Sequence, residues 1–273
     1  MGSLNYINHI YTGSANRESL IDLEIPINYK GQLIIFVHGY MGFKDWGAWN
    51  LMQQFFTSRG FGFCKFNLSH NGGTVKNGFD FPDLNAFSEN NYSKEKADVS
   101  FALDWIEKTL IPLPTIHLIG HSRGGGMVLL NALDQRVHSV CTLAAISSVA
   151  KRFSEPKILS DWEKEKVRYT INQRTKQQMP HNYSQVIDFL NHQSELDIRA
   201  HCEKIKKPIL LIHGDKDVSV PIEEGFELAD WCQCKLEIIE NTDHVFGACH
   251  PWLENHLPAK LEEVCLKIEA FLS

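Results

Sequence analysis

Gly120-His121-Ser122-Arg123-Gly124 sets a serine between two glycines in the pattern G-x-S-x-G. A serine hydroxyl is a poor nucleophile at neutral pH. It needs a general base to take its proton and a carboxylate to hold that base in one tautomer. With glycine usage near ~7% and serine assumed similar, the pattern arises by chance about 0.1 times in a chain of this length. Its setting narrows it further, because the apolar run Ile116-His117-Leu118-Ile119 precedes it and Gly124 to Leu130 can open a helix behind it. A sharp strand-to-helix turn forces the serine into a strained backbone conformation, and neighbours with a Cβ would collide across it. The strain points the hydroxyl out of the sheet, and the helix N-terminus favours the negative charge that develops there.

The partners should follow in the order acid, then histidine. There are 13 histidines, and position narrows the choice. Asp217 lies in His213-Gly214-Asp215-Lys216-Asp217-Val218-Ser219-Val220-Pro221, directly after an apolar run over 209–212. His244 lies in Asn241-Thr242-Asp243-His244-Val245-Phe246, directly after the run 236–239. Both therefore fall in loops at the carboxyl ends of strands, the same edge as Ser122. Asp215 competes as the acid; being nearer the strand end, it is expected to stabilise the turn by an Asx-type bond, so Asp217 is preferred. Asp243 is too close to His244 to turn back onto its ring. His250 precedes Pro251 and reads as a surface turn residue, His121 should pack within the elbow, and His117 lies inside a strand. His70, after the second long strand, is a candidate substrate contact. The oxyanion that forms in acyl transfer should be held by backbone donors, the N–H groups of Arg123 and of Tyr40 in the loop Val37–Phe43, where Gly39 allows close approach. Phe43, Trp46 and Phe246 are candidate pocket walls, with core packing as the competing role for each.

The elements that position these groups alternate apolar runs with amphipathic stretches, as βα units around a mostly parallel sheet do. Five runs read as buried strands, at 33–37, 62–66, 116–119, 140–144 and 209–212. The shorter Leu236–Ile239 should lie near an edge, and residues 5–28 read as an antiparallel hairpin at the other edge. Ser93 is positioned to cap a helix with Ala97, Phe101, Ala102, Trp105 and Ile106 on its apolar face. A C-terminal helix keeps its period through Leu261, Val264, Cys265, Ile268, Phe271 and Leu272 behind Pro258. One stretch, Ser148 to Lys206, is polar and far longer than the ~2–6 residues of a βα connection, so it should be an insertion with its own structure. Val167–Ile171 and Lys176–Met179 flank Asn172-Gln173-Arg174-Thr175 there as a hairpin, and Tyr183 to Leu190 reads as a helix. Such insertions over a sheet's carboxyl end commonly serve as lids or substrate walls.

Composition bounds the function. The 273 residues are 43% hydrophobic and 22% charged with 16 Phe, 7 Tyr and 6 Trp, which excludes a disordered chain. A formal charge of -6 argues against a nucleic-acid partner. No run approaches the ~18 apolar residues of a membrane helix, so no membrane partner is expected. Met1-Gly2-Ser3-Leu4-Asn5 has neither a basic region nor an apolar core, so no secretory signal is expected. The seven cysteines are odd in number and lack metal-ligand spacing; Cys232 and Cys234 should diverge if both lie on a helix. A soluble, cytoplasmic protein is the expectation, with a homodimer compatible with it.

The elbow, the segment H-G-x-x-D-x-x-V-P around Asp217, the Asp-His pair at 243–244 and His38-Gly39 together resemble the α/β-hydrolase superfamily, in its serine esterase, lipase and acyl-aminopeptidase-like branch. The resemblance covers nearly the whole chain. It implies a single domain over 1–273 with a mostly parallel eight-stranded sheet, helices on both faces, and residues 148–206 inserted as a small cap. The insertion is similar to the cap of bacterial cinnamoyl and feruloyl esterases. Those relatives carry Asp-x-x-Gly-His-Gly after the second long strand, where this chain reads Asn67-Leu68-Ser69-His70-Asn71-Gly72-Gly73; the shape of their acyl pocket therefore does not carry over. The resulting expectation is a serine esterase for small or aromatic acyl groups, needing no metal or organic cofactor. A thioesterase, an amide hydrolase or a C–C hydrolase would use the same triad, and a catalytically idle ligand receptor is the alternative from another class. Dehalogenases and epoxide hydrolases are disfavoured because they need a carboxylate where Ser122 stands.

Overall fold

Runs that are apolar on every residue must be covered on both faces, and that requirement builds the sheet. The computed structural model describes residues 3–273; Met1 and Gly2, the start of the segment read as lacking a secretory signal, lie outside the described residues. β1 (Leu4–Thr12) and β2 (Glu18–Ile25) form an antiparallel edge hairpin. β2 then pairs antiparallel with β4 (Gly62–Phe66), which runs parallel to β3 (Gln32–Val37). From β3 the sheet continues in parallel through β5 (Thr115–His121) and β6 (Val137–Leu143). A separate antiparallel pair, β7 (Val167–Ile171) and β8 (Gln178–Asn182), comes next in the chain. The main sheet is completed by β9 (Ile209–Gly214) and β10 (Leu236–Ile239), in the order β1-β2-β4-β3-β5-β6-β9-β10.

Helices cover both faces. On one face α1 (Trp49–Ser58) lies beside the C-terminal helix, whose Leu261, Val264, Cys265 and Ile268 pack with Phe36, Ile119 and Leu143. After the short α2 (Leu84–Ser88), the opposite face receives α3 (Tyr92–Thr109) and α4 (Arg123–Leu130). No helix among the described residues is long and apolar enough to cross a membrane.

Two local expectations shift. The cap of α3 is Asn91, whose side chain accepts from Lys94 N–H at 2.8 Å; Ser93 lies one turn position inside. The buried stripe therefore runs Tyr92, Glu95, Asp98/Val99, Ala102/Leu103 and Ile106, and Phe101 is left exposed. Asp98 is buried because it accepts from the N–H groups of Ser14 and Ser69, both at 2.7 Å, and so ties the β1–β2 turn and the β4 loop to one helix. Burial still raises its carboxyl to about 6 against those hydrogen bonds.

The hairpin and the helix expected between β6 and β9 both form. A turn at 150–153 leads to α5 (Pro156–Glu165), then the hairpin β7–β8 and α6 (Ser184–Asn191). The last piece of this segment, α7 (Ile198–Cys202), is laid on the body, with Ile198 and Cys202 in the same core as α4. α8 (Ile222–Cys232) ends at Cys232, where Gln233 turns left-handed with φ of 52°. Cys234 therefore lies beyond the helix, and the helical argument for divergence of Cys232 and Cys234 does not apply.

Several histidines are buried neutral. Burial brings His38 and His117 from 6.5 to about 4, and burial with the neighbouring His244 brings His121 to about 3. The unfolded chain binds protons on these rings below about pH 6.5 while the folded one does not, so stability is complete above that pH and is lost as pH falls toward 4. The urea midpoint is expected to be level above about pH 7 and to fall steadily from pH 6.5 to 4.5; a level midpoint through that window would show that the folded rings accept protons.

Candidate active site

β5 hands directly into α4 at Ser122, whose φ of 58° and ψ of -120° lie outside the regions open to most L residues. The turn is fastened on both sides: Ser122 N–H donates to Leu143 O at 2.8 Å, and Ser122 O accepts from Ile146 N–H at 3.2 Å. A Cβ on Gly120 would stand 2.3 Å from Gly124 O, and one on Gly124 would stand 2.4 Å from both Val37 O and His38 O. The sheet therefore runs close enough to the turn that only glycine fits at either place. Gly39 approaches from β3, where a Cβ would be 2.9 Å from that of Ser122.

Asp217 and His244 meet. His244 Nδ1 donates to Asp217 Oδ2 at 2.6 Å, which leaves Nε2 as the proton acceptor of that ring. The other carboxylate oxygen, Oδ1, accepts from the N–H groups of Ser219 and Val220 at 2.8 and 2.9 Å. His213 Nε2, which donates to Val220 O, stands 3.3 Å from Oδ2. Burial alone would raise this carboxyl, yet the bonds from His213 and His244, the His244 charge and the Val220 N–H hold it well below the usual carboxylate range. Asp215 takes a different part: its Oδ1 accepts from Thr242 N–H at 3.2 Å and ties the loop after β9 to the loop after β10. Asp243 accepts from Val245 and Gly247 N–H in its own turn.

Ser122 and His244 line one cavity of about 550 Å3. No hydrogen bond joins Ser122 Oγ to the His244 ring among the described residues; such contacts often tighten only with substrate bound. His121 packs as expected, with its Nε2 donating to His244 O at 2.9 Å and its ring centroid 4.7 Å from that of His244. The N–H groups of Tyr40 and Arg123 have no acceptor among the described residues, as an oxyanion site requires. His38 supports that loop from below: Nδ1 donates to Gly39 O at 2.9 Å while Nε2 accepts from Leu68 N–H at 3.1 Å.

Other candidates are dispersed. Trp46 lines the cavity, but Phe43 and Phe246 do not. Phe43 is buried against Phe81 and His250, and Phe246 is buried in the core between α1 and the last helix, which we label α9 (Ala259–Leu272). His70 is turned away as well. With Ser69 pinned to Asp98, the His70 ring bonds Ser69 Oγ at 2.8 Å and borders a separate cleft beside Arg17. The walls that sequence reasoning missed are Trp49, His250 and the hairpin tip Ile171–Arg174. His250 is recruited by tertiary structure, since its Nδ1 accepts from Gly47 N–H at 2.8 Å, a contact that its Pro251 neighbour could not announce.

A strained serine at a strand-to-helix turn of this sheet, with an Asp-His pair arriving from the ends of β9 and β10, defines a serine hydrolase of the α/β-hydrolase fold. The chain belongs to the prolyl oligopeptidase family, whose model matches residues 48–250. Solved structures agree on the fold. It is similar to Est1E from Butyrivibrio proteoclasticus with ferulic acid bound, at 19% identity and a TM-score of 0.69 over 97% of this chain and 98% of that one. It is likewise similar to a putative hydrolase from Agrobacterium vitis S4, at 16% identity and 0.72 over 100% of both chains. Alpha/beta hydrolase domain-containing protein 10 from mouse follows at 18% identity and 0.68 over 97% of both. At such identities the likeness establishes the fold alone. Among curated proteins no sequence match is found.

The glycine contacts make a direct prediction. Gly124→Ala forces backbone carbonyls apart rather than flexible side-chain ends, and is expected to cost about 3 kcal/mol or more in urea unfolding. Gly31→Ala, whose Cβ would meet nothing within 4 Å, carries only the strain of its φ of 79° and should cost less.

Proposed function

We propose that the protein hydrolyses carboxylic esters of small or aromatic acyl groups through an acyl-enzyme on Ser122, with His244 as base and Asp217 as the acid that orients it. The 2.6 Å bond from His244 Nδ1 to Asp217 Oδ2, beside a serine in the same cavity, carries this reading. Ser122 Oγ attacks the acyl carbon while its proton passes to His244 Nε2. The carbonyl oxygen becomes an oxyanion, met by the N–H groups of Tyr40 and Arg123. As the tetrahedral species collapses, the C–O bond to the alcohol breaks and His244 returns the proton to the departing alkoxide. Water then attacks the acyl-enzyme, losing its proton to His244, and Ser122 recovers that proton as the acid leaves. Every group in this sequence belongs to the chain, the substrate or water.

The aromatic wall supports the choice of substrate. Trp46, Trp49 and His250 stand together in the cavity wall, which also includes the polar tip Asn172–Arg174, and such an aromatic wall suits a flat acyl group better than a triglyceride chain. The family match favours one second reading, amide hydrolysis on the same triad. Ester and amide differ at the leaving group, since an amine must be protonated before it departs.

Ser122→Ala and His244→Ala are each expected to abolish turnover, and the double variant should be no worse than either. Asp217→Asn should lower kcat about 10^4-fold by releasing the wrong tautomer of His244, whereas Asp215→Asn should stay within about tenfold of the parent. The reverse ranking would move the acid to Asp215. Rates on p-nitrophenyl esters of graded length, hydroxycinnamate methyl esters, a thioester and aminoacyl anilides sort the substrate class. Turnover of anilides alone would establish the amide reading, and no labelling of Ser122 by a fluorophosphonate would point to a receptor.

A further inference from the structure

Ser122 and His244 line two cavities, which also share Tyr40 and Ser219. Besides the aromatic cavity, both residues line a second chamber of about 270 Å3. It adjoins a recess of about 120 Å3 reaching under the cap, and the two share Tyr40, Tyr92, Arg123 and Arg152 as walls. Arg168 on β7 closes the recess from the cap side, its guanidinium carbon 6.0 Å from the Trp162 ring. Arg123 and Arg152 thus line the chamber that holds Ser122, and Arg168 lines the recess adjoining it, in a chain whose net charge is -6.

Their pairing leaves a surplus. Arg123 is held between the rings of Tyr40 and Tyr92, at 4.5 and 4.6 Å, and donates to Glu95 Oε1 at 3.1 Å. Arg152 pairs with Glu224 through its NH2 group, while its Nε is buried with no hydrogen-bond partner. Neither Glu95 nor Glu224 borders either chamber. Arg168 has no carboxylate partner among the described residues, so the lining carries one full unbalanced positive charge. His181 on the same wall does not add to it: burial, then the charges of Arg123 and Arg168, bring its ring to about 3. Its neutral ring bonds the Tyr40 hydroxyl at 2.8 Å.

We propose that this arginine-lined chamber is an anion subsite, and that the preferred substrates carry a carboxylate on the side of the scissile ester that enters it. Resting on the esterase reading above, the proposal specifies the substrate class: half-esters of dicarboxylic acids, or esters of hydroxy acids. A carboxylate reaching from the chamber toward the recess would face the unpaired Arg168 guanidinium, a fork-like donor that suits a planar anion, beside the Arg123 and Arg152 walls common to both. The neutral aromatic cavity would receive the other end.

Two isosteric pairs test this. Monomethyl glutarate against methyl 5-methylhexanoate places the charge on the acyl side; 4-acetoxybutanoate against 4-methylpentyl acetate places it on the alcohol side. In the parent protein, kcat/KM for the charged member of one pair is expected to exceed that of its isostere by about tenfold or more. Which pair responds tells which end the chamber holds. Arg168 is the residue to change, because it is exposed and unpaired, whereas loss of Arg152 would strand the buried Glu224. Arg168→Gln should bring the ratio to within about threefold of unity, and Arg168→Lys, which keeps the charge without the fork, should restore it only in part. Ratios near unity in both pairs, or a high ratio indifferent to Arg168→Gln, would overturn the subsite. Calorimetry with glutarate needs no turnover and separates the two readings. Saturable binding that weakens about tenfold or more in Arg168→Gln sustains the subsite even if neither neutral ester is cleaved; absence of binding together with level ratios removes it.

Discussion

The left-handed backbone at Ser122 is the constraint on which the site depends. A non-glycine residue held there costs on the order of 1–3 kcal/mol, and it persists only where surrounding contacts over-determine it. Here they come from three strands: β6 through Leu143 O, β3 through the carbonyls crowding Gly124, and β5 itself through Gly120. Because those strands are parallel neighbours, their carboxyl ends lie at one rim. The loops after β9 and β10 open at the same rim, and that places Asp217 and His244 beside the elbow without any long excursion of chain.

The other wall of the site is held by charge. Lys44 Nζ lies 2.7 Å from Asp22 and 2.6 Å from Asp45, and Lys65 Nζ lies 2.9 Å from Asp22 and also pairs with Asp45. Burial would raise the Asp22 carboxyl, but Lys65 and Lys44 outweigh it and lower it. Two cations and two anions cancel, and Asn50 and Asn67 satisfy further donors on Lys65 Nζ and Lys44 N–H. Such a group contributes little net stability over an apolar one, whereas losing one member strands a buried charge. Its consequence here is positional: it clamps the loop between β3 and α1, which carries the Tyr40 N–H, onto β2 and β4.

Much of this was legible in the sequence because it is local. Apolar runs mark strands buried on both faces, and the elbow glycines, Asp217 and His244 follow directly from strand ends. The α/β-hydrolase resemblance and the eight-stranded sheet are borne out. What was not legible depends on packing between segments far apart. Phe43 and Phe246 read equally as core or pocket, and only the tertiary fit puts both in the core. His70 would face the rim if the β4 loop continued outward, but Asp98 on α3 draws Ser69 inward. His250 enters the cavity wall because Gly47, 203 residues earlier in the chain, offers it an N–H. The cap of α3 slipped by two residues because Asn91 and Ser93 are both competent, and the choice falls to the stripe that buries Asp98 under Ser14 and Ser69.

The hairpin of β7 and β8 is tied to the loop after β3 through Tyr40. Tyr40 offers its backbone N–H to the expected oxyanion, while its hydroxyl bonds His181 on β8 and its ring covers the Arg123 guanidinium. His181 is fixed in turn from α5, where Trp162 Nε1 donates to His181 O at 2.7 Å. The tip of the same hairpin is tied to the body through Arg174 and Asp80 and walls the aromatic cavity, while Arg168 at its base walls the cationic chamber. One hairpin therefore borders both the aromatic cavity and the arginine-lined recess, and braces the loop that carries the Tyr40 N–H. Substitutions in β7 or β8 that preserve the body should consequently act on both substrate choice and turnover, because the side chains that shape the chambers also hold Tyr40 in place.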